Sequence, residues 1–206
     1  MTEDRAPIAS VGVVDHGMGN LRSVARALEA AGATVTLSAE PIELEGKDAL
    51  CVPGQGIFGR AMSNLVDGGL APMLHAWIAS DRPLLGICLG LQLLFDESDE
   101  RGPVAGLGVI PGRVAALQPA PGLSVPHIGW NAVEERGAER YFYFDHSYVV
   151  VPTDASVVAG WCEHGRRFGA AVRTGSILGV QFHPEKSGAA GIDLLKGWLH
   201  GSPRLF

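Results

Sequence analysis

Residues 83–95 read Pro-Leu-Leu-Gly-Ile-Cys-Leu-Gly-Leu-Gln-Leu-Leu-Phe, with no charge and a single amide, Gln92. Such a run must be buried, yet Gly86, Gly90 and Gln92 break it and it is too short to cross a bilayer as a helix. A change of element inside it resolves the conflict. Residues 83–87 are predicted to be a buried strand, Cys88 the turn, and 89–95 the start of a helix. The rest of the first half alternates in the same way. Residues 11–14 form an apolar strand ending at Asp15, and a turn follows over 16–20. Leu21, Val24, Ala25, Leu28 and Ala31 then recur at helical spacing, with Gly32 as the stop. Residues 35–37 and 49–52 are predicted strands, the second ended by Pro53-Gly54. Leu70, Met73, Leu74, Trp77 and Ile78 mark another helix. Strands alternating with helices imply a parallel sheet covered on both faces.

The period changes in the second half. Segments 125–133, 141–151, 157–163, 168–173 and 177–182 look extended, and His164-Gly165 and Thr174-Gly175 suit hairpin turns between them. Residues 191–200 return to helix, with Ile192, Leu195 and Leu199 in register. No repeat, charge block or Ser/Pro-rich linker interrupts the chain. The change near residue 105 therefore reads as a change of sheet type within one domain over 1–206. The expected fold is α/β, with a mixed, mostly parallel central sheet, helices on both faces, and an antiparallel, strand-rich C-terminal half.

Composition narrows the function. Lys plus Arg is 16 against 22 Asp plus Glu, a net charge of −6, so no basic face for nucleic acid is expected. At 47% hydrophobic and 18% charged residues the chain is an ordinary folding sequence. Its 3 cysteines, at 51, 88 and 162, are far apart and form no CxxC pair, which argues against a zinc ribbon or disulfide framework and fits a reducing compartment. The opening MTEDRAPIAS has acids and no apolar core, unlike a secretory signal. A cytoplasmic protein with no membrane association is the expectation. His16, His75, His127, His146, His164 and His200 show no metal-ligand spacing, so no metal is expected. Gly17-Met18-Gly19 fails as a dinucleotide fingerprint because Arg22 stands where the third glycine belongs, and no cofactor is expected. Tyr141-Phe142-Tyr143-Phe144 reads as a core or edge strand, since no basic residues alternate with it as RNA binding would require.

Gly86-Ile87-Cys88-Leu89-Gly90 is the thiol counterpart of the G-x-S-x-G nucleophile elbow. The nucleophile sits in a strained turn above the sheet. Flanking glycines let strand and helix cross, and the helix start points positive peptide dipoles at the sulfur. The backbone N–H of Leu89 then lies where an oxyanion would form. Cys51 and Cys162 lack this setting and read as packing residues. A thiol nucleophile needs a base. In His183-Pro184-Glu185, residues i and i+2 of an extended chain face one side, so the Glu can orient the imidazole. Pro53-Gly54-Gln55-Gly56 ends another strand, where a glycine-rich turn can offer a second oxyanion donor.

Together these motifs resemble the class I glutamine amidotransferases, which carry G-x-C-x-G-x-Q, a PG-x-G turn and a late HPE. Further segments sharpen the resemblance: Asp15 through Asn20, Pro111-Gly112-Arg113-Val114, Pro126 through Asn131, His146-Ser147-Tyr148, and His183 through Gly188, in that order. With these the chain is similar to the glutaminase subunits of imidazole glycerol phosphate synthases, from about Val11 to the last helix. His16, where the family usually has Tyr, and Gln55, where a small apolar residue is frequent, are departures. The resemblance implies that Cys88 attacks the side-chain amide of L-glutamine. His183 would protonate the leaving ammonia and Glu185 would orient it. Backbone groups of Leu89 and of the Gly54-Gln55 turn would hold the oxyanion. It further implies that Gln92, Glu100, Ser147 and Tyr148 contact substrate. Ammonia would pass to a (β/α)8-barrel cyclase in a heterodimer. Asn20, Trp130, Tyr143 and Lys186 are the candidates for the interface and ammonia exit. The rival readings are a free-standing cysteine amidase or peptidase, a fold that has lost catalysis, and a glutaminase for another synthase. Gln92 and the ordered motifs count against the first, and the intact Cys88, His183 and Glu185 against the second.

Overall fold

The computed structural model describes residues 7–119 and 122–206; residues 1–6, part of the segment expected not to be a leader, lie outside them. In chain order the elements are β1 (Ser10–Val14), α1 (Leu21–Ala31), β2 (Thr34–Ser38), α2 (Pro41–Leu44), β3 (Ala49–Val52), α3 (Phe58–Asp67) and α4 (Leu70–Ala79). Then come β4 (Leu84–Ile87), α5 (Leu89–Gln92), β5 (Phe95–Ser98), β6 (Val104–Ala105), β7 (Ile110–Ala116), β8 (His127–Glu135) and β9 (Ala138–His146). The chain finishes with β10 (Tyr148–Pro152), β11 (Val158–His164), β12 (Arg166–Thr174), β13 (Ile177–Val180) and α6 (Gly188–Leu199).

A 9-stranded sheet runs β2-β1-β3-β4-β13-β12-β11-β8-β9. Its neighbours are parallel from β2 to β13 and antiparallel from β13 to β9. The connections explain much of the division: strands joined through helices come back parallel, whereas the tight turns at Arg136-Gly137, Gly165 and Gly175-Ser176 allow only antiparallel pairing. One hydrophobic core joins the sheet to Val24 and Leu28 of α1 and to Leu194, Leu195 and Trp198 of α6. A second joins it to Phe58 and Leu65 of α3 and to Leu70 and Leu74 of α4. Helices thus cover both faces. Helix α1 starts and stops as its sequence suggests: the Asn20 side chain accepts from Ser23 N–H, and Gly32 takes the left-handed conformation, φ 111°.

Three features depart from the sequence expectation. The helix after Cys88 ends at Gln92, not Phe95, because Leu93, Leu94 and Phe95 are buried and lead directly into β5. The extended segment 141–151 breaks at Ser147, so β9 belongs to the large sheet and β10 to a second, 4-stranded sheet of order β10-β7-β5-β6. That sheet was hidden in sequence by Gly102-Pro103, Gly106, Gly108 and Pro111-Gly112, which read as loop. Helix α3 is an addition whose buried Phe58, Ala61, Met62 and Leu65 do have helical spacing.

The register places the motifs. Gly86 pairs with Val52 on one side and Gly179 on the other. The carboxyl ends of β3, β4 and β13 therefore lie side by side, and these ends lead to the Pro53–Gly56 turn, Cys88 and His183. Ligand sites in open α/β sheets form at such ends.

Candidate active site

Cys88 has φ 52° and ψ −105°, a conformation strained for any residue with a Cβ. Its N–H donates to Val180 O over 2.7 Å, which ties the elbow to β13. A Cβ on Gly90 would stand 1.7 Å from Val52 O, and one on Gly86 would stand 2.8 Å from Gly90 O. The glycines of the motif are thus set by backbone contact. The four residues of α5 sum few peptide dipoles at Cys88. The stronger positive group near the sulfur is His183.

His183 Nδ1 lies 2.7 Å from Glu185 Oε1, and both side chains are 3% exposed. They meet through a single 3-10 turn, Pro184–Lys186, rather than along an extended chain. The loop is stitched to β9: His183 N–H donates to Tyr143 O, Ser187 Oγ donates to His183 O, and Tyr143 N–H donates to Ser187 Oγ. Burial opposes a charge on His183. Hydrogen bonding and charge from Cys88 and Glu185 outweigh it and raise the imidazole pKa to about 10. Cys88 and His183 follow the carboxyl ends of the paired strands β4 and β13, although Nε2 has no hydrogen-bond partner of ordinary geometry among the described residues. Gln181, which sequence reasoning missed, is fully buried and donates from Nε2 to Cys88 Sγ over 3.5 Å. Its position two residues before His183, at the end of a recognised strand, was the available signal.

A pocket of about 190 Å³ opens over the sulfur, lined by Gln55, Gly56, Cys88, Leu89, Gln92, Glu100, Pro126 and Asp145 through Tyr148. His183 and Glu185 are buried away from its surface. All four candidate substrate contacts line it. Gln92 is held by donating to Tyr148 O (3.0 Å) and Gln181 Oε1 (3.2 Å). Glu100 Oε2 accepts the Phe58 N–H at 2.8 Å. A larger depression of about 370 Å³, lined in part by Glu134, Arg136 and Arg173, lies by the opposite end of the β8–β9 pair and holds none of these residues.

The oxyanion expectation needs correction. Leu89 N–H is not free: it donates to Gly54 O over 3.3 Å. One expected donor is therefore blocked by the carbonyl of the turn expected to supply the other. The turn is braced from beneath. His16 Nε2 donates to Pro53 O at 2.6 Å, Asn64 Nδ2 donates to His16 O, and a Cβ on Gly19 would stand 3.1 Å from Gln55 N.

Trp130, Tyr143 and Lys186 form one patch. The rings of Trp130 and Tyr143 meet edge-on at 6.2 Å, and Lys186 Nζ stands 5.6 Å from the Tyr143 ring centroid. Exposed Ile128 and Tyr141, not singled out from sequence, share that face of β8–β9. Asn20 stands apart, capping α1 next to the Gly54-Gln55 turn. Cys51 and Cys162 are buried, and desolvation pushes both thiols up, Cys162 to about 12. Among the described residues no metal-binding group of His, Cys, Asp and Glu occurs, and no helix is long and apolar enough to cross a membrane.

A chain of neutral imidazoles backs the pocket. His146 Nδ1 donates to Tyr148 O (2.9 Å), so its Nε2 accepts from His127 Nδ1 (3.0 Å), and His127 Nε2 accepts from Asn131 Nδ2 (3.2 Å). Burial, followed by the charges of His146 and His164, depresses His127 to about 3; burial is also the main cause for His146, at about 4. Unfolded imidazoles titrate near 6.5, so below that pH the unfolded chain takes up protons that the folded chain refuses. The raised His183 offsets this near pH 7, where only the folded chain holds its proton, so stability should fall from about pH 6 to pH 5, once the unfolded imidazole is charged as well. The check is the urea midpoint across that range, with His127→Gln flattening the slope. Equal slopes in wild type and variant would contradict it.

Known proteins resemble this chain over most of its length. The family model for glutamine amidotransferase class-I matches residues 12–199. The imidazole glycerol phosphate synthase subunit HisH of Synechococcus elongatus is 43% identical over 205 residues, covering 94% of this chain and 94% of that protein. The HisH subunit of Geobacillus kaustophilus is 44% identical over 204 residues, covering 92% of this chain and 95% of that protein. Imidazole glycerol phosphate synthase hisHF, chloroplastic, of Arabidopsis thaliana is 44% identical over 200 residues; the match covers 92% of this chain but only 34% of that longer protein. A solved structure described as a glutamine amidotransferase superposes with a TM-score of 0.74 at 24% identity, covering 93% of this chain and 98% of that one, which is a likeness of fold.

Proposed function

Since the chain belongs to the class I glutamine amidotransferases, we propose that it is the glutaminase subunit of an imidazole glycerol phosphate synthase. In this reading Cys88 Sγ attacks the side-chain amide carbon of L-glutamine. His183, held by Glu185, gives its Nε2 proton to the leaving ammonia. Water, activated by the same imidazole, hydrolyses the thioester to glutamate. Acyl transfer of this kind asks for no cofactor. Glu100 presents its carboxylate to the substrate's α-amino group, and Ser147 and Tyr148 hold the α-carboxylate. Gln92 supports that wall. Ammonia passes to a (β/α)8-barrel cyclase that makes imidazole glycerol phosphate and an aminoimidazole carboxamide ribotide. Trp130, Tyr143, Lys186 and Asn20 line the docking face and exit. A single domain over 1–206 in the cytoplasm, where thiols stay reduced, fits the 3 unpaired cysteines.

The observation that carries the reading is that the paired strands β4 and β13 bring Cys88 and the His183–Glu185 pair to one end of the sheet, beside a pocket lined by all four substrate candidates. The blocked Leu89 N–H adds a kinetic expectation. One missing oxyanion donor slows such chemistry by roughly a hundredfold or more. The isolated chain should therefore hydrolyse glutamine slowly, and cyclase with its ribotide ligand should accelerate it by about that factor. Glutamate release with and without the cyclase is the measurement. Peptide cleavage, or a rate indifferent to the cyclase, would favour a free-standing cysteine amidase or peptidase. Acceleration by another synthase alone would reassign the partner.

A further inference from the structure

Gln55 carries a side chain that a backbone oxyanion donor does not require. Its Nε2 donates to Asp145 Oδ2 over 2.7 Å, across the mouth of the pocket that both residues line. Lys186 Nζ stands 3.4 Å from the same oxygen, so the carboxylate is held from two sides. Asp145 is the penultimate residue of β9, and its carbonyl oxygen lies 4.0 Å from Cys88 Sγ. We propose that Gln55 and Asp145 are positioning residues that form a latch, holding the Gly54–Gln55 peptide with its carbonyl on Leu89 N–H and so keeping the glutaminase slow. This proposal rests on the glutaminase reading.

Two observations require some such restraint. Gly54 and Gly56 flank Gln55, and glycine gives a turn wide backbone freedom; Gly56 sits at φ 133°. Within residues 54–56 only Gln55 has a side chain that can fix the turn. Clearing Leu89 N–H means rotating the peptide about ψ of Gly54 and φ of Gln55, and a Gln55 side chain tied to β9 limits how far its Cα can give as the peptide turns. A hydrogen bond to an ionised acceptor is among the stronger kinds, so it weights the balance toward the blocked form. Asp145 lies on the same face of β8–β9 as Trp130, Tyr143 and Lys186. A partner seated on that face reaches the latch directly.

The test uses the full chain without cyclase, comparing Gln55→Ala, Asp145→Ala and the double variant. Each single change should raise kcat for glutamine about tenfold, with KM little changed. The acceleration by cyclase should shrink by the same factor. The double variant should gain no more than either single one, because both remove one bond. Gln55→Glu, which sets two carboxylates against each other, should open the turn as well. Hydrogen exchange at the Leu89 amide should quicken in every variant, a readout that needs no catalysis. Unchanged exchange at Leu89, or gains that multiply in the double variant, would overturn the latch while leaving the glutaminase reading intact. Wild-type chain inert toward glutamine even with cyclase, but with exchange quickened in the variants, would overturn the proposed function while leaving the latch standing.

Discussion

Replacing Cys88 with alanine should abolish synthesis from glutamine and spare synthesis from ammonium salts at high pH. Loss of the nucleophile in enzymes of this logic lowers kcat by about 10⁶. No other thiol can stand in, since neither Cys51 nor Cys162 lines the pocket and desolvation raises both. Ammonium is not a nucleophile, whereas at high pH free ammonia can reach the cyclase without passing Cys88. Product formation by the assembled complex from each nitrogen source is the measurement. Failure of ammonium rescue in an intact complex would mean that Cys88 does more than release ammonia.

The second large effect falls on the fold. Gly90→Val should prevent the soluble protein from forming. A Cβ there would lie 1.7 Å from Val52 O, which is backbone of the adjacent β3 and cannot swing aside as a side chain would. Opening that gap would pull α5 from the sheet and disturb the parallel pairing of β3 with β4. Overpacking that a core can absorb costs about 1–3 kcal/mol, and a backbone collision of this depth exceeds it. Gly46 is the control, because a Cβ added there would meet nothing within 4 Å. Gly46→Ala should leave yield and Tm close to wild type. A soluble Gly90→Val chain with native Tm would show that the β3 backbone can give way after all.

The parallel half of the sheet was legible because β1, β3 and β4 are short apolar runs ended by Asp15, Pro53-Gly54 and the elbow itself. The elbow was legible for a related reason: few sequences demand two glycines around a thiol. Helix α3 carried a readable stripe that went unused. The second sheet was not readable, since glycine and proline through 102–112 look like loop and Ser147 alone gives no turn signal between the aromatic run of β9 and the apolar run of β10. The oxyanion turn shows a harder limit. Its glycines indicate that a peptide can turn there, but which way it faces depends on contacts far away in sequence, such as Asp145. Gln181 lay between these cases, its neighbourhood recognised and its side chain overlooked.

The Leu89–Gly54 hydrogen bond makes the resting site a closed equilibrium, and equilibria of this kind are shared by every ligand that prefers the open form. If the cyclase complex favours the open turn, thermodynamic linkage requires that whatever prefers the open turn, the oxyanion of the reaction above all, strengthen the grip on the cyclase by the factor with which the cyclase strengthens its own hold. Nitrogen supply and subunit assembly then become two readings of one quantity. A complex in the act of acylation would grip its partner most tightly, and an idle one would let it go more readily.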